Sequence, residues 1–478
     1  MAKRGFFCLA MNKLKQNLVK SWEVICMMEE KNLVLDVHEK PTPGYWAALS
    51  LQHVLAMFGS TVLVPMLTGL PVSLALVASG IGTLFYIFVT KGKSPVYLGS
   101  SFAYIAPISS ALALGATVNA EGVITNGANY GAVSGGLIMV GLVYLVLALI
   151  IKFTGTGWVN KILPPIVIGP TIMVIGLSLA ATAVNMASEH VMVALITLLT
   201  AALVSTYTKG LMQLLPIFSA IVVGYLAALG YGLVDFTAVS EAAWFALPEF
   251  AFLHAKPQFT LEIASLMIPV ALVTVTEHIG DHLVLSSIVG RDLTKTPGLH
   301  RTLVGDGVAT LLAGFMGGPA NTTYGENTGV IGLTKVASVW VIGGAAIVAF
   351  CLGFIGKFTA LVQTIPTAVL GGVSILLFGV IASSGARVLI NNQIDFSKQR
   401  NLIIGAIILI VGIGGMSLEL GPITLSGMAL AAIIGVLLHL ILPDKEASYG
   451  PAQTLDIELN KELTEDSLTN HKEKLVNA

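Results

Sequence analysis

Long apolar runs recur along nearly the whole chain, and short polar stretches separate them. Each run is long enough for the roughly 17–25 residues that a membrane-spanning helix needs. The pattern predicts an all-α polytopic membrane protein with about fourteen transmembrane segments. The predicted segments begin near Tyr45, Leu70, Tyr97, Ala132, Trp158, His190, Leu211, Leu261, Thr302, Pro319, Ala337, Ala360, Asn401 and Ile423.

One predicted segment, Pro319–Lys335 (PANTTYGENTGVIGLTK), is too polar for a helix that faces lipid. Irregular, polar backbone at membrane depth is tolerated only where protein or a water-filled cavity surrounds it. We therefore predict a broken span, extended over Ala320–Tyr324 and helical from about Glu326. In transporters built from inverted repeats, half-helices of this kind direct their free N–H groups at the substrate.

A weak internal repeat has an offset of about 220–227 residues. Chance similarity would explain any single matching pair, but three pairs occur in the same order. With seven spans in each copy, the second copy must be inverted relative to the first. The pairs are residues 51–53 (LQH) with 276–278 (TEH), 80–84 (GIGTL) with 307–311 (GVATL), and 101–104 (SFAY) with 322–324 (TTY). In the third pair, each segment directly precedes one of the two predicted half-helices.

The loop charges indicate the orientation of the chain. With the N-terminus inside, twelve Lys and Arg residues fall in cytoplasmic connections and two, Lys256 and Lys357, in outer ones. This positive-inside bias would be lost if the count of spans were shifted by one. We therefore expect a multi-pass protein of the cell membrane with both termini in the cytoplasm.

Composition excludes several functional classes. The chain of 478 residues is 55% hydrophobic and 11% charged, against about 25% charged in ordinary soluble domains. A net charge of -1, without a basic aromatic patch, gives no indication of nucleic-acid binding. The three scattered cysteines predict neither a disulfide framework nor a thiolate metal site. No polar segment is long enough for a soluble catalytic domain.

Four acidic residues fall well inside apolar spans: Glu277, Asp281, Asp306 and Glu326. Charges inside the hydrocarbon are costly, so such residues are functional candidates by default. Glu277 and Asp281 are four residues apart and share one helix face. Two like charges this close favour a proton on at least one of them, an arrangement suited to carrying a proton. In the alternative, Asp281 and Asp306 tie helices together through Ser, Thr or backbone groups.

Histidines supply a second set of candidates. His278 and His282 are also four apart, a spacing that could hold a metal, but a third ligand is not evident and the pair should point away from the Glu277 face. We therefore predict no metal site. His53 follows Gln52 in the first span, and we expect it to be a hydrogen-bonded packing residue with its partner on the opposing broken span.

Glu326 restricts the class of substrate. A half-helix N-terminus alone favours anions, but a carboxylate at that end, facing Glu277, disfavours them. The combination suits a small neutral ligand with both N–H donors and carbonyl acceptors. Backbone amides near Gly325 would donate to the carbonyls, and Phe102 and Tyr324 would pack on a flat ring. A pyrimidine such as uracil has this alternating edge.

From Tyr45 to Leu442 the chain resembles the nucleobase–cation symporter family, also called nucleobase–ascorbate transporters. The motif YGEN resembles the uracil permease branch, whereas purine carriers usually have Gln in place of this Glu. The resemblance rests on Gln52-His53, residues 97–103 (YLGSSFA), 277–281 (EHIGD), 321–329 (NTTYGENTG) and 330–335 (VIGLTK).

This resemblance implies symport of uracil with a proton, no other cofactor, and a homodimer. It also implies a core domain that carries two opposed broken spans and a gate domain that moves against it. We place the core in residues 45–155 and 261–357, the gate in 156–260 and 358–442, and cytoplasmic tails in 1–44 and 443–478.

Site roles follow residue by residue from the same resemblance. Glu277 and Glu326 would hold the base, with Phe102, Tyr324 and Gly325 lining the site. Proton coupling would fall to Glu277 and Asp281. Structural support of the site would come from Gln52, His53 and Asn327.

Two alternatives stay open. Some uracil permeases have His four residues after the first glutamate, whereas this chain has Asp281, as many purine carriers do. A purine (xanthine or urate) proton symporter is therefore the nearer alternative. An intramembrane metal-dependent hydrolase that uses Glu277 with His278 and His282 is the remote one.

Overall fold

The computed structural model describes residues 33–118, 124–155, 157–210, 212–421 and 423–443. The predicted tails, residues 1–44 and 443–478, therefore lie mostly outside the described residues. Helices dominate the described part, and six helical stretches are long and apolar enough to cross a membrane: Pro43–Thr68, Val72–Val89, Tyr130–Thr154, Pro165–Ser188, Leu261–Val289 and Thr367–Asn391. Six further apolar helical stretches are shorter: Phe102–Ala113, Val191–Tyr207, Pro216–Gly230, Val339–Leu352, Gln399–Ile413 and Gly427–Ile441. The predicted polytopic helical architecture agrees with this pattern.

The helices of the first half are α1 Pro43–Thr68, α2 Val72–Val89, α3 Ile105–Ala113, α4 Tyr130–Thr154, α5 Gly157–Ile162, α6 Pro165–Ser178, α7 Ala180–Ser188, α8 Val191–Tyr207, α9 Pro216–Gly230, α10 Thr237–Glu241 and α11 Ala251–His254. Those of the second half are α12 Leu261–Met267, α13 Val270–Val289, α14 Leu299–Met316, α15 Gly325–Thr334, α16 Val339–Leu352, α17 Gly356–Gln363, α18 Thr367–Asn391, α19 Gln399–Ile413 and α20 Gly427–Ile441. Single turns of 3₁₀-helix cover Phe102–Tyr104 and Met212–Leu214, and a π-helical turn covers Thr294–Gly298.

Six short strands form three antiparallel pairs within the described residues. β1 pairs with β4, which lies more than 200 residues away in the sequence, whereas the other two pairs are hairpins between neighbouring strands. The strands are β1 Leu98–Ser100, β2 Thr117–Val118, β3 Ile124–Asn126, β4 Asn321–Thr323, β5 Ser417–Leu420 and β6 Ile423–Ser426.

Local sequence signals explain several helix ends. α1 begins at Pro43, whose missing N–H costs nothing in a first turn. It ends at Gly69, which adopts a left-handed conformation (φ 77°) that glycine reaches without steric cost. Asn129 caps α4 by accepting a hydrogen bond of 2.9 Å from the backbone N–H of Ala132.

Several predicted segments begin later than the sequence pattern indicates, and α18 and α20 are two of them. α18 begins at Thr367 rather than near Ala360, because Pro366 interrupts the backbone hydrogen bonding and the short helix α17 occupies the residues before it. α20 begins at Gly427 rather than near Ile423, because β6 pairs with β5 at that point. Apolar content alone does not distinguish these short elements from the first turns of a helix.

One packing group surrounds α14, which lies against α2 and α4, while α16 lies against α1 and α2. Small residues allow the close approach of these helices, as is common in membrane interiors. An ideal Cβ on Gly307 of α14 would lie 2.5 Å from Cβ of Tyr144 in α4. One on Gly305 would lie 2.6 Å from the ring of Tyr86 in α2.

A second packing group surrounds α18, which lies against α6, α7, α8 and α9, with α19 and α20 packed on α6. Aromatic side chains meet where the two groups touch. The rings of Phe102 and Phe378 are 5.9 Å apart and nearly perpendicular. The Phe58 ring contacts both Phe218 and Phe358, at 6.0 and 5.9 Å.

The N-terminal strap, residues 33–40, lies across the end of α15. The backbone N–H of Val34 donates to the Lys335 carbonyl over 2.7 Å, and the N–H of Ala337 donates to the Leu35 carbonyl over 2.8 Å. Val37 is almost completely buried. An ion pair of 2.6 Å joins Asp36 to Arg291, just beyond the end of α13. The strap therefore connects the half-helix α15 to a neighbouring helix.

Candidate functional site

The two broken spans meet as a two-stranded antiparallel ribbon of β1 and β4. Leu98 pairs with Thr323, Gly99 with Thr322 and Ser100 with Asn321. The predicted break in the span that begins at Pro319 is confirmed, with an extended segment followed by a helix from Gly325. The segment before Phe102 has the same extended character.

Neighbouring helices satisfy the backbone groups that this ribbon leaves over. Ser79 Oγ donates to the Leu98 carbonyl over 2.6 Å, and Thr310 Oγ1 donates to the Asn321 carbonyl over 2.9 Å. The amide of Asn321 donates in turn to the carbonyls of Ala78 and Ala309. Each unsatisfied backbone group would cost several kcal/mol in an apolar interior, and these hydrogen bonds remove that cost. Extended backbone can therefore persist here.

Two half-helices leave this ribbon, and each begins beside it. A 3₁₀ turn over Phe102–Tyr104 leads into α3, and α15 begins at Gly325 directly after β4. The first N–H groups of a helix have no partner within the helix, and the helix dipole places partial positive charge at the same end. The ribbon thus presents hydrogen-bond donors beside Phe102, Gly325 and Glu326.

Glu326 is held from α1. Its Oε1 accepts a hydrogen bond of 2.6 Å from the hydroxyl of Ser60, which is fully buried. The Glu326 side chain itself is only partly buried. A bond between a hydroxyl and a carboxylate at this distance is of the strong, charge-assisted kind. One carboxylate oxygen is therefore fixed, and the other is left for a further donor.

Tyr324 lies under the ribbon and is also held from α1. Its hydroxyl donates to the Ser100 carbonyl over 3.1 Å and accepts from Thr61 over 3.2 Å. Gly99 makes room for the ring, since an ideal Cβ at that position would lie 2.4 Å from Cζ of Tyr324. The ring is 2% exposed, so Tyr324 supports the site from beneath and presents little surface to a ligand.

Asp281 of α13 contacts the broken span. Its Oδ2 accepts a hydrogen bond of 2.5 Å from Thr323 Oγ1, and its Oδ1 lies 3.8 Å from the place where a Cβ on Gly325 would stand. Glu277 lies one turn earlier and is partly buried. Glu326 begins α15, which packs against α13, and Asp306 of α14 lies 3.0 Å from His278 of α13. The four acidic residues singled out by the sequence thus lie on α13 and on two helices packed against it.

The opposite face of α13 carries the two histidines, both completely buried. His278 Nδ1 lies 3.0 Å from Asp306 Oδ2, and His278 Nε2 lies 2.9 Å from the hydroxyl of Thr302. His282 Nε2 lies 2.6 Å from the hydroxyl of Tyr86. The prediction that both histidines point away from the Glu277 face is confirmed. Their partners lie on α14 and α2.

The contact of Asp306 differs from the one in the alternative given above. That alternative has Asp306 tie helices through Ser, Thr or backbone groups, whereas its contact is the imidazole of His278 at 3.0 Å. Among the described residues, neither Asp306 oxygen has an aligned hydrogen bond. Asp306 therefore links α14 to α13 through His278. The sequence spacing marks this histidine only as a possible metal ligand.

His53 and Asn327 form the predicted link between the first span and the opposing broken span. Asn327 Nδ2 donates to the His53 carbonyl over 3.2 Å and lies 3.0 Å from His53 Nδ1. Gln52 is buried beside His53, although no partner for its amide nitrogen occurs among the described residues. The pair joins α1 to the first turn of α15, next to Glu326.

Sequence reasoning missed three hydroxyl residues that hold the acidic and aromatic side chains: Ser60, Thr61 and Thr323. Hydroxyl residues inside apolar helices usually bond to a carbonyl of their own helix, as Thr68 does with the Val64 carbonyl. Nothing in the local sequence distinguishes Ser60 from such residues. Thr323 carried a weak signal, since it lies in the polar break itself.

A cavity of about 190 Å³ lies beside Glu326, where α1, α15 and the start of α9 meet. Its wall is mainly apolar, with Glu326 and Gln213 as the polar side chains. Within the described ranges no group of three or more His, Cys, Asp and Glu side chains is assembled that could hold a metal ion. The arrangement can accept N–H donors at carboxylates and donate backbone N–H groups to carbonyls.

Comparison with known proteins gives a consistent result. A family model described as "Permease family" matches residues 44–421. The chain is 51% identical to the uracil permease of Bacillus subtilis over 433 residues, which covers 87% of this chain and 97% of the relative. It is 42% identical to the uracil permease of Escherichia coli K12 over 418 residues, which covers 85% of this chain and 93% of the relative.

Solved structures of membrane transporters have a similar fold at low sequence identity. A structure of SLC26A9 has a TM-score of 0.62 at 11% identity and covers 83% of this chain and 64% of that one. The transmembrane domain of the cyanobacterial bicarbonate transporter BicA has a TM-score of 0.56 at 15% identity, with coverage of 84% and 99%. At these identities the likeness concerns the fold alone.

Proposed function

The chain belongs to the nucleobase–ascorbate transporter family of permeases, and from that premise we propose that it imports uracil together with a proton. Membership of a permease family makes it a transporter and not an enzyme, so the hydrolase alternative is set aside. The names of its relatives support uracil as the substrate. The observation that carries the proposal is Glu326, a partly buried carboxylate at the start of the half-helix α15.

Uracil matches the chemistry of this site. The free base is neutral and presents alternating N–H and C=O groups along one edge. The Glu326 carboxylate and the carbonyl oxygen of the Glu277 carboxyl accept from the N–H groups, and the first backbone amides of α15 donate to a carbonyl. Phe102, at the start of the other half-helix, packs on the ring. Burying these polar groups of the ligand is tolerable only because each finds a partner.

The coupling ion is a proton held on Glu277 and shared with Asp281. Two carboxylates one turn apart on α13, with Glu326 on the helix packed against it, favour at least one bound proton when a neutral ligand is bound. One proton imported with a neutral base moves one charge per cycle. A membrane potential of 100 mV then supplies about 2.3 kcal/mol, or roughly fifty-fold accumulation before any pH gradient.

Transport follows from movement of the core domain (residues 45–155 and 261–357) against the gate domain (156–260 and 358–442). The proposed site residues lie in the core ranges, and aromatic contacts join them to the gate, such as Phe102 with Phe378 and Phe58 with Phe218. Apolar contacts can slide without breaking hydrogen bonds. The cavity between Glu326 and the start of α9 supports the same division, since it lies between the two parts.

The topology is fourteen spans as two inverted repeats of seven, with both termini in the cytoplasm. The antiparallel pairing of β1 with β4 supports this, because a two-fold axis between two inverted copies would relate their broken spans in this way. The positive-inside distribution of Lys and Arg supports the orientation. We also expect a homodimer in the lipid bilayer, as the family resemblance implies.

The test is uptake of labelled uracil into proteoliposomes under an imposed inward proton gradient. We expect accumulation that collapses when a protonophore dissipates the gradient. Asp281, which many purine carriers share, makes a purine symporter the second candidate, so unlabelled xanthine, thymine and uridine are added as competitors. Uracil uptake at the same rate and to the same level with and without the proton gradient would contradict proton symport. Inhibition of uptake by a lower concentration of unlabelled xanthine than of unlabelled uracil would favour the purine carrier.

A further inference from the structure

We propose that Ser60 is a positioning residue that sets the orientation and hydrogen-bonding polarity of Glu326 toward the ligand. This inference rests on the proposed function, since it concerns the site where the base is bound. It concerns a residue of α1 that neither touches the broken backbone nor carries charge. Its hydroxyl reaches across to α15 and donates to Glu326 Oε1 over 2.6 Å.

The Ser60 hydroxyl bonds to another span, as those of Ser79 and Thr310 do, but its acceptor is a side-chain carboxylate and not a backbone carbonyl. Hydroxyls inside apolar helices often donate instead to the carbonyl four residues earlier in the same helix. Thr68 of α1, Thr171 of α6 and Thr197 of α8 all do so, at 2.7–2.9 Å. Ser60 is fully buried, and its hydroxyl donates its single hydrogen to Glu326 instead. This bond orients a side chain of another span in place of a bond within α1.

Thr61, the residue after Ser60, also bonds to a side chain of the broken span, at Tyr324 on the other side of Gly325. Thr61 donates to the hydroxyl of Tyr324, which in turn donates to the Ser100 carbonyl. Consecutive helix positions point about 100° apart, so Ser60 and Thr61 can reach Glu326 and Tyr324 at the same time. Asn327, one residue further on, is tied to His53 of the same helix. α1 thus holds three of the four residues from 324 to 327 through their side chains.

A hydroxyl that donates to residue 326 also selects which atom remains for the ligand. With Glu326, the bond to Oε1 leaves Oε2 as an acceptor that suits a ligand N–H. With glutamine, a bond from Ser60 to the amide oxygen would leave the amide N–H₂ as a donor that suits a ligand carbonyl or ring nitrogen. Without Ser60, either end of the side chain could turn toward the ligand. Ser60 is therefore a determinant of specificity that acts through residue 326.

The experiment compares Ser60→Ala, Ser60→Thr and the control Thr68→Ala in the wild-type and Glu326→Gln backgrounds. Equilibrium binding of labelled uracil to purified protein gives Kd, and uptake gives KM and the maximal rate. We expect Ser60→Ala to raise Kd and KM about tenfold or more, as for loss of a hydrogen bond to a charged group, with the maximal rate retained. Ser60→Thr should restore most of the affinity, and Thr68→Ala should change neither constant.

The double variant supplies the readout that a merely structural role would not move. If Ser60 acts through residue 326, the selectivity of Glu326→Gln between uracil and xanthine should change when Ser60→Ala is added, and the single effects should not be additive. Unchanged Kd in Ser60→Ala, or an equal fold-change in both backgrounds, would overturn the role. If the wild type transports xanthine instead of uracil, the same comparison is made with xanthine, so failure of the proposed substrate does not decide the role of Ser60.

Discussion

Thr323 donates a hydrogen bond of 2.5 Å to Oδ2 of Asp281, and so connects the extended break of one span to the acidic face of α13. The contact allows two roles for Asp281, which are to tie the helices together and to carry a proton. A tie needs only an acceptor oxygen at this position. A proton carrier needs a carboxyl that gains and loses a proton during the cycle.

Asp281→Asn separates these two roles, since the amide oxygen can still accept from Thr323 but cannot bind a proton. We expect the variant to bind uracil and to exchange it across the membrane, while accumulation driven by a proton gradient falls at least about tenfold. Proteoliposome uptake and counterflow measure the two activities side by side. Thr323→Ser, which keeps the hydroxyl, serves as the control. Accumulation by Asp281→Asn at the wild-type level would show that Asp281 links the helices through Thr323 and does not carry the proton.

Gly99 is the position where the ribbon depends most on the absence of a side chain. Gly99→Ala would place Cβ about 2.4 Å from the Tyr324 ring, so the ring or the ribbon must move. We expect uracil uptake to fall more than about tenfold, with the loss in affinity as well as in rate. Gly379→Ala is a matched control, because an ideal Cβ at Gly379 meets nothing within 4 Å. Equal uptake by the two variants would contradict the packing described for Tyr324.

Asp306 and His278 provide a test of stability in the buried interior. Removing one partner of a buried pair leaves an unpaired polar group and costs about 3–5 kcal/mol, whereas an uncharged partner of the same size costs much less. Asp306→Ala should therefore lower the melting temperature of the purified protein by at least about 5 °C relative to Asp306→Asn. Fluorescence-detected size-exclusion chromatography after heating measures the difference. Equal melting temperatures would show that the contact with His278 contributes little.

The ion pair between Asp36 and Arg291 should contribute much less, because both side chains are partly exposed. Burial raises the pKa of Asp36, but the hydrogen bond from the Val37 N–H and the guanidinium of Arg291 together hold this pKa below its ordinary value. The contribution is thus complete above the ordinary pKa and is lost as pH falls through the lowered one. Arg291→Ala should reduce stability by less than about 1 kcal/mol at neutral pH, and its difference from wild type should shrink in acid.

The sequence predicts site residues best where polar or acidic residues occur inside otherwise apolar spans. The break at residues 319–335 and the acids at 277, 281, 306 and 326 are conspicuous because charge and irregular backbone are costly in an apolar interior. A partner for His53 on the broken span followed from the same reasoning, since a lone buried histidine needs a partner, but the structure identifies that partner as Asn327. These residues stand out one by one, without knowledge of the fold.

The contacts that orient these residues could not be predicted in this way. Ser60 and Glu326 are 266 positions apart, and serine is common in apolar helices, where it usually bonds to its own backbone. The partner of Asp306 is a histidine whose spacing with His282 suggested a metal ligand instead. Helix starts at Thr367 and Gly427 were missed because short apolar elements resemble the first turn of a span. Long-range geometry decides each of these cases.

In the proposed site the Glu277 carboxyl and residue 326 together bind a neutral base. Binding and uptake of labelled uracil are measured for Glu277→Ala, at matched expression and with an unchanged size-exclusion profile, beside wild type and Thr68→Ala. We expect Glu277→Ala to lose uracil uptake entirely and to bind uracil at least about a hundredfold more weakly, since a hydrogen-bond acceptor and the coupling carboxyl are removed together. Wild-type uracil uptake by a well-expressed Glu277→Ala variant would show that Glu277 does not bind the base.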